Sequence, residues 1–373
     1  MRIGFDAKRA FLNSTGLGNY SRDSIRLLSH FYADNKYFLY TPKEIKNSRL
    51  AFLKNRDNTF VRTPQSLINK ALTSYWRSKS IVRDLFTNKI EIYHGLSNEL
   101  PLGIEKTSIK TVVTIHDLIF NRYPHLFKLI DRKIYYKKFK SACQRANKII
   151  AISRQTKKDI IDFFEIPESK ITVVYQGCNK VFQSPVSDNI KQAILSKYNI
   201  QQDYLLYVGS IEERKNLLTL LKTLKELPNQ KLVIIGNGKS YKVKCLRYIA
   251  KNNLSDRVML LSGLSLEEMA AIYQNAHMLI YPSIFEGFGI PILEALFCKT
   301  PVITSKNGCF SEAGGPNTKY INPLSVDEMK TAIFEIQNSK EIKNTMTEKG
   351  FEYAQNFTDD KIATNLMAIY TAL

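Results

Sequence analysis

The chain has 373 residues, is 44% hydrophobic and 24% charged, and carries a formal net charge of +20. That length suits two domains rather than one, and the composition is that of a globular protein rather than a disordered or fibrous one. No apolar run approaches the roughly eighteen residues of a membrane-spanning helix, and the five scattered cysteines read as buried free thiols rather than a disulfide framework or metal site.

The charge is unevenly placed. Residues 1–185 hold 33 Lys and Arg against 15 Asp and Glu, while the remainder holds 21 against 19. The first half is therefore expected to face something anionic: a membrane surface, a lipid-linked pyrophosphate or nucleic acid. Plain solvated lysines are the competing reading, but they leave the imbalance between halves unexplained.

In chain order, Met1-Arg2-Ile3-Gly4-Phe5-Asp6 opens as a strand, not as an export signal, which predicts a cytoplasmic protein. Asn13-Ser14-Thr15-Gly16-Leu17-Gly18-Asn19-Tyr20 then forms a loop ahead of a helix expected over Ser21–Leu28. Gly16 and Gly18 let backbone approach a phosphate or acceptor there, although a flexible turn explains them equally well. Short β-branched runs follow at 37–40, 90–93, 111–115, 149–152 and 171–175, with helical stretches between several of them. That alternation predicts a parallel sheet covered on both faces.

Tyr75-Trp76-Arg77 to Lys89 reads either as an amphipathic membrane-facing helix or as a buried Trp under a solvated face. Lys128 to Lys148 holds eight Lys and Arg with Tyr135, Tyr136 and Phe139, which suits a headgroup layer. No RNA-recognition, helix-turn-helix or zinc signature accompanies it, so no nucleic-acid partner is expected. His116 and Asp117 end the 111–115 strand, where ligands of open parallel sheets bind, and can orient or deprotonate a hydroxyl. A helix-capping Asp beside an ordinary His is the plainer alternative. His94 ends a neighbouring strand, and Ser153 suits a cap for the helix 157–164.

The second half repeats the style, with apolar runs at 204–208, 232–235, 258–261, 278–281 and 302–304. Two such halves give two Rossmann-like domains, 1–185 and 186–357, followed by a helix at 358–373. After 204–208 come Gly209, Ser210, Arg214 and Lys215 at a helix entrance, where cations oppose the helix dipole and so suit a bound diphosphate. Gly236 sits in a Gly-x-Gly turn, and Gly263-Leu264 precedes another helix. The strand 278–281 leads into Glu286-Gly287-Phe288-Gly289, then Pro291 and Glu294. Gly287 and Gly289 permit a tight turn, and Pro291 fits a first helical turn. Two carboxylates thus flank a helix N-terminus, an arrangement suited to a ligand carrying both hydroxyls and phosphates.

The pattern Pro-Ser-x-x-Glu-Gly-Phe-Gly-x-Pro-x-x-Glu-Ala resembles the signature of retaining glycosyltransferases of family four. So do Asp6-Ala7 with Thr-Gly-x-Gly-x-Tyr, Thr-Ile-His-Asp-Leu, Arg214-Lys215-Asn216 and the Ile234–Gly238 turn. The resemblance implies a GT-B fold: two Rossmann-like domains with a cleft between them and a C-terminal helix crossing back to the first. It implies a nucleotide-diphospho-sugar substrate, no cofactor and no metal. Gly16, Gly18, Gly209, Ser210, Arg214, Lys215, Gly236, Gly263, Leu264, Glu286, Gly287, Phe288, Gly289 and Glu294 would line the donor. His116, Asp117, Glu286, Arg214 and Lys215 would act in catalysis. Many members carry Arg where this chain has Ser210, which leaves open whether Arg214 takes that role. The closest look is to bacterial mannosyl- or rhamnosyltransferases of O-antigen or capsule assembly. These act on a lipid-linked or oligosaccharide acceptor, peripherally at the anionic cytoplasmic face of the inner membrane. A nucleotide-sugar 2-epimerase and a non-catalytic basic membrane or RNA binder are the alternatives.

Overall fold

The computed structural model describes residues 1–45 and 48–373, which divide into two compact units: 1–176 with 359–373, and 177–358. The division falls after Gln176, ahead of the expected 185. The polar stretch beyond it already belongs to the second unit. Its short 3-10 turn Lys180–Gln183 buries Phe182 edge-on against Tyr273, 5.5 Å between ring centres.

Among the described residues, unit 1 is built on seven parallel strands: β1 (Arg2–Asp6), β2 (Lys36–Tyr40), β3 (Thr59–Arg62), β4 (Ile92–Gly95), β5 (Lys110–Ile115), β6 (Lys148–Ala151) and β7 (Ile171–Val173). They lie in the order β3-β2-β1-β4-β5-β6-β7. The chain winds outward from β1 through β2 to β3, then returns to the other side of β1. The topological switch point is therefore between β1 and β4, where α/β sheets open a crevice at the strands' carboxyl ends. Unit 2 repeats this with β8 (Tyr204–Val208), β9 (Lys231–Ile235), β10 (Val258–Leu261), β11 (Met278–Tyr281), β12 (Val302–Ser305) and β13 (Lys319–Ile321), ordered β10-β9-β8-β11-β12-β13. Its switch point is between β8 and β11. Each sheet carries its own apolar core. Val113, Ile115, Ile149 and Ile160 belong to the first core, and Leu205, Leu220, Ile234 and Ile280 to the second.

Several sequence expectations need correction. The loop after β1 is not open chain. A short helix, Lys8–Leu12, precedes a long one that runs from Gly16 to Phe31 instead of starting at Ser21. β3 and β13 escaped notice because each is a short edge strand with few apolar positions. Of the two readings left open for Trp76, the buried one holds: the ring is fully buried, and its indole N–H donates to Asp84 Oδ2 at 2.6 Å. The closing helix Asp359–Thr371 belongs to unit 1, as expected, and there Asp359 takes the Arg26 guanidinium at 2.8 Å.

Candidate functional site

In unit 2, the loops leaving β8 and β11 meet at the switch point. Ile284 N–H donates to Arg214 carbonyl at 2.8 Å, which ties the two loops together through backbone. Arg214 Nη1 and Lys215 Nζ then converge on one carboxylate oxygen, Glu286 Oε1, at 2.7 and 2.6 Å. That oxygen holds both cations as ion pairs, without the directional geometry of a hydrogen bond. Arg214 also pairs with Glu212 at 2.7 Å and donates to Phe285 carbonyl at 2.6 Å. Lys215 donates to Tyr281 Oη at 2.7 Å, its ammonium 5.0 Å from the centre of that ring.

Burial alone would disfavour the Glu286 carboxylate. The charges of Lys215 and Arg214 outweigh it and hold the carboxyl down to about 2. Glu294, one turn into the helix Ile290–Phe297, has the opposite environment. Among the described residues its side chain has one hydrogen-bond partner, Tyr273, whose hydroxyl donates at 2.8 Å, and burial raises its carboxyl to about 7. Two carboxylates eight positions apart are thus held in different protonation regimes, a division of labour typical of reactive sites.

The glycines divide by cause. Gly289 takes φ +109° as the helix N-cap, and Gly209 takes φ +148° against the Lys215 stem. A Cβ on Gly236 would stand 1.9 Å from Gly209 carbonyl oxygen, so Gly236 lets the loops after β8 and β9 touch backbone to backbone. Gly263 (φ +76°) faces open space, with half-buried Leu264 behind it. Gly287 is half-buried between the Glu286 and Phe288 positions. Ser210 is exposed and donates to Glu212 at 3.0 Å, so it supports the carboxylate that holds Arg214.

One donor-lining expectation needs correction. Phe288 turns its ring inward against Phe357, 5.8 Å between centres, and is 2% exposed. It anchors the loop, because a large apolar ring gains more from the core than from water. Sequence reasoning also missed partners. Tyr281 and Tyr273 read only as strand and helix core. Buried Cys309 lies 3.2 and 3.1 Å from the carbonyls of Glu286 and Phe288, with its thiol donating.

In unit 1, Gly18 is required by close approach: a Cβ there would lie 2.0 Å from Asn13 carbonyl oxygen. Asn13 Oδ1 accepts from Thr15 N–H (2.8 Å) and Gly18 N–H (3.2 Å), and Arg22 donates to the carbonyls of Ala10 and Asn13. Gly16 begins the helix in open space. His116 is buried beneath the edge of the Tyr20 ring, 4.6 Å between centres. Its Nε2 lies 2.9 Å from Leu96 carbonyl, an acceptor only, so Nε2 carries the proton and Nδ1 the lone pair. Burial lowers this imidazole to about 4, so it is neutral at physiological pH. Asp117 Oδ1 accepts from Ile119 N–H at 3.2 Å, an Asx turn one residue ahead of the N-cap Leu118 rather than the helix cap weighed from sequence. His94 does not belong to a site: its nitrogens are occupied by Tyr370 (2.6 Å) and Thr114 (2.8 Å). Ser153 caps the helix Arg154–Phe164 by accepting from Thr156 N–H, as expected.

Two consecutive Rossmann-like units, one with paired acids and cations at its switch point, define a nucleotide-binding α/β enzyme class. Residues 191–353 match the family described as glycosyl transferases group 1, and residues 27–180 match Glycosyltransferase Family 4. The chain is 30% identical to the O-antigen chain mannosyltransferase RfbU of Salmonella typhimurium, across 71% of this chain and 69% of that protein. It is 26% identical to the O-antigen chain mannosyltransferase B of Escherichia coli over the full length of both. Among solved structures, Anabaena Alr3699/HepE in complex with UDP superposes with a TM-score of 0.78 at 16% identity, covering all of both chains. This chain belongs to that glycosyltransferase family and has the GT-B fold.

Proposed function

We propose that this glycosyltransferase moves a hexose, mannose before rhamnose, from a nucleotide-diphospho-sugar to a lipid-linked or glycan acceptor in bacterial O-antigen or capsule assembly. The named mannosyltransferase relatives support the sugar and the setting. One observation carries the reading at the level of chemistry: Lys215 and Arg214 converge on Glu286 at the β8/β11 switch point, with Glu294 beginning the next helix. Cations fixed there, with the amides of the helix N-terminus, suit the charge that develops on a departing diphosphate. They take the part that a metal ion takes elsewhere, so the transfer runs without one. Glu286, ionised throughout the physiological range, accepts hydroxyls of the donor sugar and faces the developing oxocarbenium charge. Glu294 holds the ribose hydroxyls. In unit 1, His116 offers a neutral acceptor, Nδ1, to a sugar hydroxyl, and Asp117 holds the turn beside it. Attack from the leaving-group face, with the diphosphate assisting deprotonation, gives retention.

The same reading places the chain peripherally on the cytoplasmic face of the inner membrane. The helix Leu129–Arg145 exposes Leu129, Ile130 and Ile134 beside Lys128, Arg132 and Lys133, a mixed apolar and basic face suited to anionic lipid. Incubation with a panel of nucleotide sugars tests the activity. A mannosyltransferase releases GDP from GDP-mannose in an acceptor-dependent way, and Lys215→Ala slows it by about a hundredfold. Sugar interconversion without nucleotide release identifies an epimerase, and neither outcome identifies a binder.

A further inference from the structure

Unit 1 has its own switch-point crevice, between β1 and β4. A cavity of about 210 Å³ opens there, bounded by the end of β1, the segment 76–80, the loop 99–102 and the second half of the helix Leu129–Arg145. It takes in Asp6 at the carboxyl end of β1 and Glu99 beyond β4, and runs from there along the sheet face beneath the helix to Tyr93 and Arg145.

Its walls have two characters. Tyr93, Leu100, Pro101 and Leu102 line it with apolar surface, and Leu102 is left 53% exposed. Arg145 closes this wall by donating to the carbonyls of Pro101 (2.6 Å) and Leu100 (3.0 Å). The charged side begins with Arg77, which grips Asp6 through Nε (3.0 Å) and Nη2 (2.8 Å) and Glu99 through Nη1 (2.9 Å). Both carboxylates are therefore compensated by one guanidinium. Lys138 reaches Glu99 only at 3.4 Å, and exposed Lys137 has no hydrogen-bond or ion-pair partner among the described residues. Arg145 is also paired with Glu105 at 3.3 Å and Lys138 with Glu99, so among the described residues the unpaired positive charge of this lining lies on Lys137, with half-exposed Lys138 next to it beside an apolar wall.

We propose that this cavity holds the phosphate of the acceptor, an ester carried on an apolar group: Lys137 and Lys138 take the phosphate, and Tyr93, Leu100 and Leu102 take the apolar group beside it. A neutral saccharide would leave the lysines unmatched, and a bare phosphate would leave the leucine wall unused. The proposal rests on the reading of the chain as a transferase with a lipid-linked acceptor, and it names where that acceptor is held.

The test titrates octyl phosphate, below its micelle concentration, into the full chain by calorimetry, with inorganic phosphate and octyl glucoside as the two half-probes. Octyl phosphate binds at least tenfold tighter than either half-probe. Lys137→Ala/Lys138→Ala loses at least tenfold of that affinity, and Lys137→Arg/Lys138→Arg restores most of it. Both positions are exposed, so melting temperature and GDP affinity stay at the wild-type values. Equal affinity for inorganic phosphate, or octyl phosphate binding unchanged in the double Ala variant, overturns the proposal. Failure of GDP or GDP-mannose to bind, with octyl phosphate binding intact, counts instead against the donor reading.

Discussion

Glu294→Gln should make the chain more stable at alkaline pH while weakening its grip on nucleotide. Burial raises the Glu294 carboxyl from 4.5 to about 7, and the Tyr273 hydroxyl offsets this in part by donating to the anion. A carboxyl raised in the folded state favours folding fully below its unfolded value and loses that contribution as pH rises through the folded value. At pH 8 the ionised group therefore costs roughly 3 kcal/mol, from about 2.5 pKa units at 1.36 kcal/mol each. Glutamine has nearly the same shape, still accepts from Tyr273 and carries no charge. For a unit of this size, that relief corresponds to a melting temperature higher by about 6–12 °C at pH 8. At pH 5 the folded group is mostly protonated while the unfolded one is still mostly ionised, so the gain should shrink to roughly 1 kcal/mol or less. Scanning calorimetry at the two pH values reads both numbers. A gain of the same size at pH 5, or none at pH 8, refutes the reasoning. Nucleotide affinity should fall by roughly tenfold, the scale of one lost charge-assisted hydrogen bond.

The buried histidines of unit 1 respond to pH in the opposite sense. His116 and His94 are lowered to about 4 and about 3 by burial, so their contribution is complete above about 6.5 and is lost as pH falls towards those values. Each should cost about 2 kcal/mol between pH 7 and pH 5, and His94→Gln should flatten that limb in acid-unfolding curves. Gly236→Ala should destabilise unit 2 by more than about 2 kcal/mol or abolish its folding, since its Cβ meets Gly209 carbonyl at 1.9 Å; a neutral melting curve would contradict this. Cys309→Ala should raise the KM for donor severalfold with little change in kcat, and Cys309→Ser should restore it by donating its single proton to one of the same two carbonyls. Transfer should continue in EDTA, and the first-formed product should keep the donor's anomeric configuration by NMR; loss of activity reversed by added metal contradicts the cation-only reading.

Much of this was legible in the sequence, because the strong signals were local. β-branched runs between helical stretches predict parallel sheets, and the 281–296 segment brings strand, turn and helix into one continuous motif. Arg214, Lys215 and Glu286 were named from local context, and the ion pairs joining them follow from strand order, which sequence does not display. Single-residue partnerships were less accessible. Tyr281 and Tyr273 are apolar in pattern and reveal their hydroxyl roles only when a neighbouring strand or helix delivers Lys215 or Glu294. Trp76 stayed open between a membrane face and a buried ring because its basic neighbours suit either, and only Asp84, eight residues on, shows the indole turned inward. Phe288 misled in the same way, since a motif position does not tell which way a ring turns.

The account stands most directly on whether Lys215 and its partners hold a diphosphate. Calorimetric titration of GDP and GMP into the wild-type chain and into Lys215→Ala measures this. The wild type should bind GDP clearly more tightly than GMP, and the substitution should cost GDP at least tenfold while leaving GMP nearly unchanged. Equal GDP affinity in a folded Lys215→Ala chain, or no preference for the diphosphate in the wild type, would contradict the proposed site.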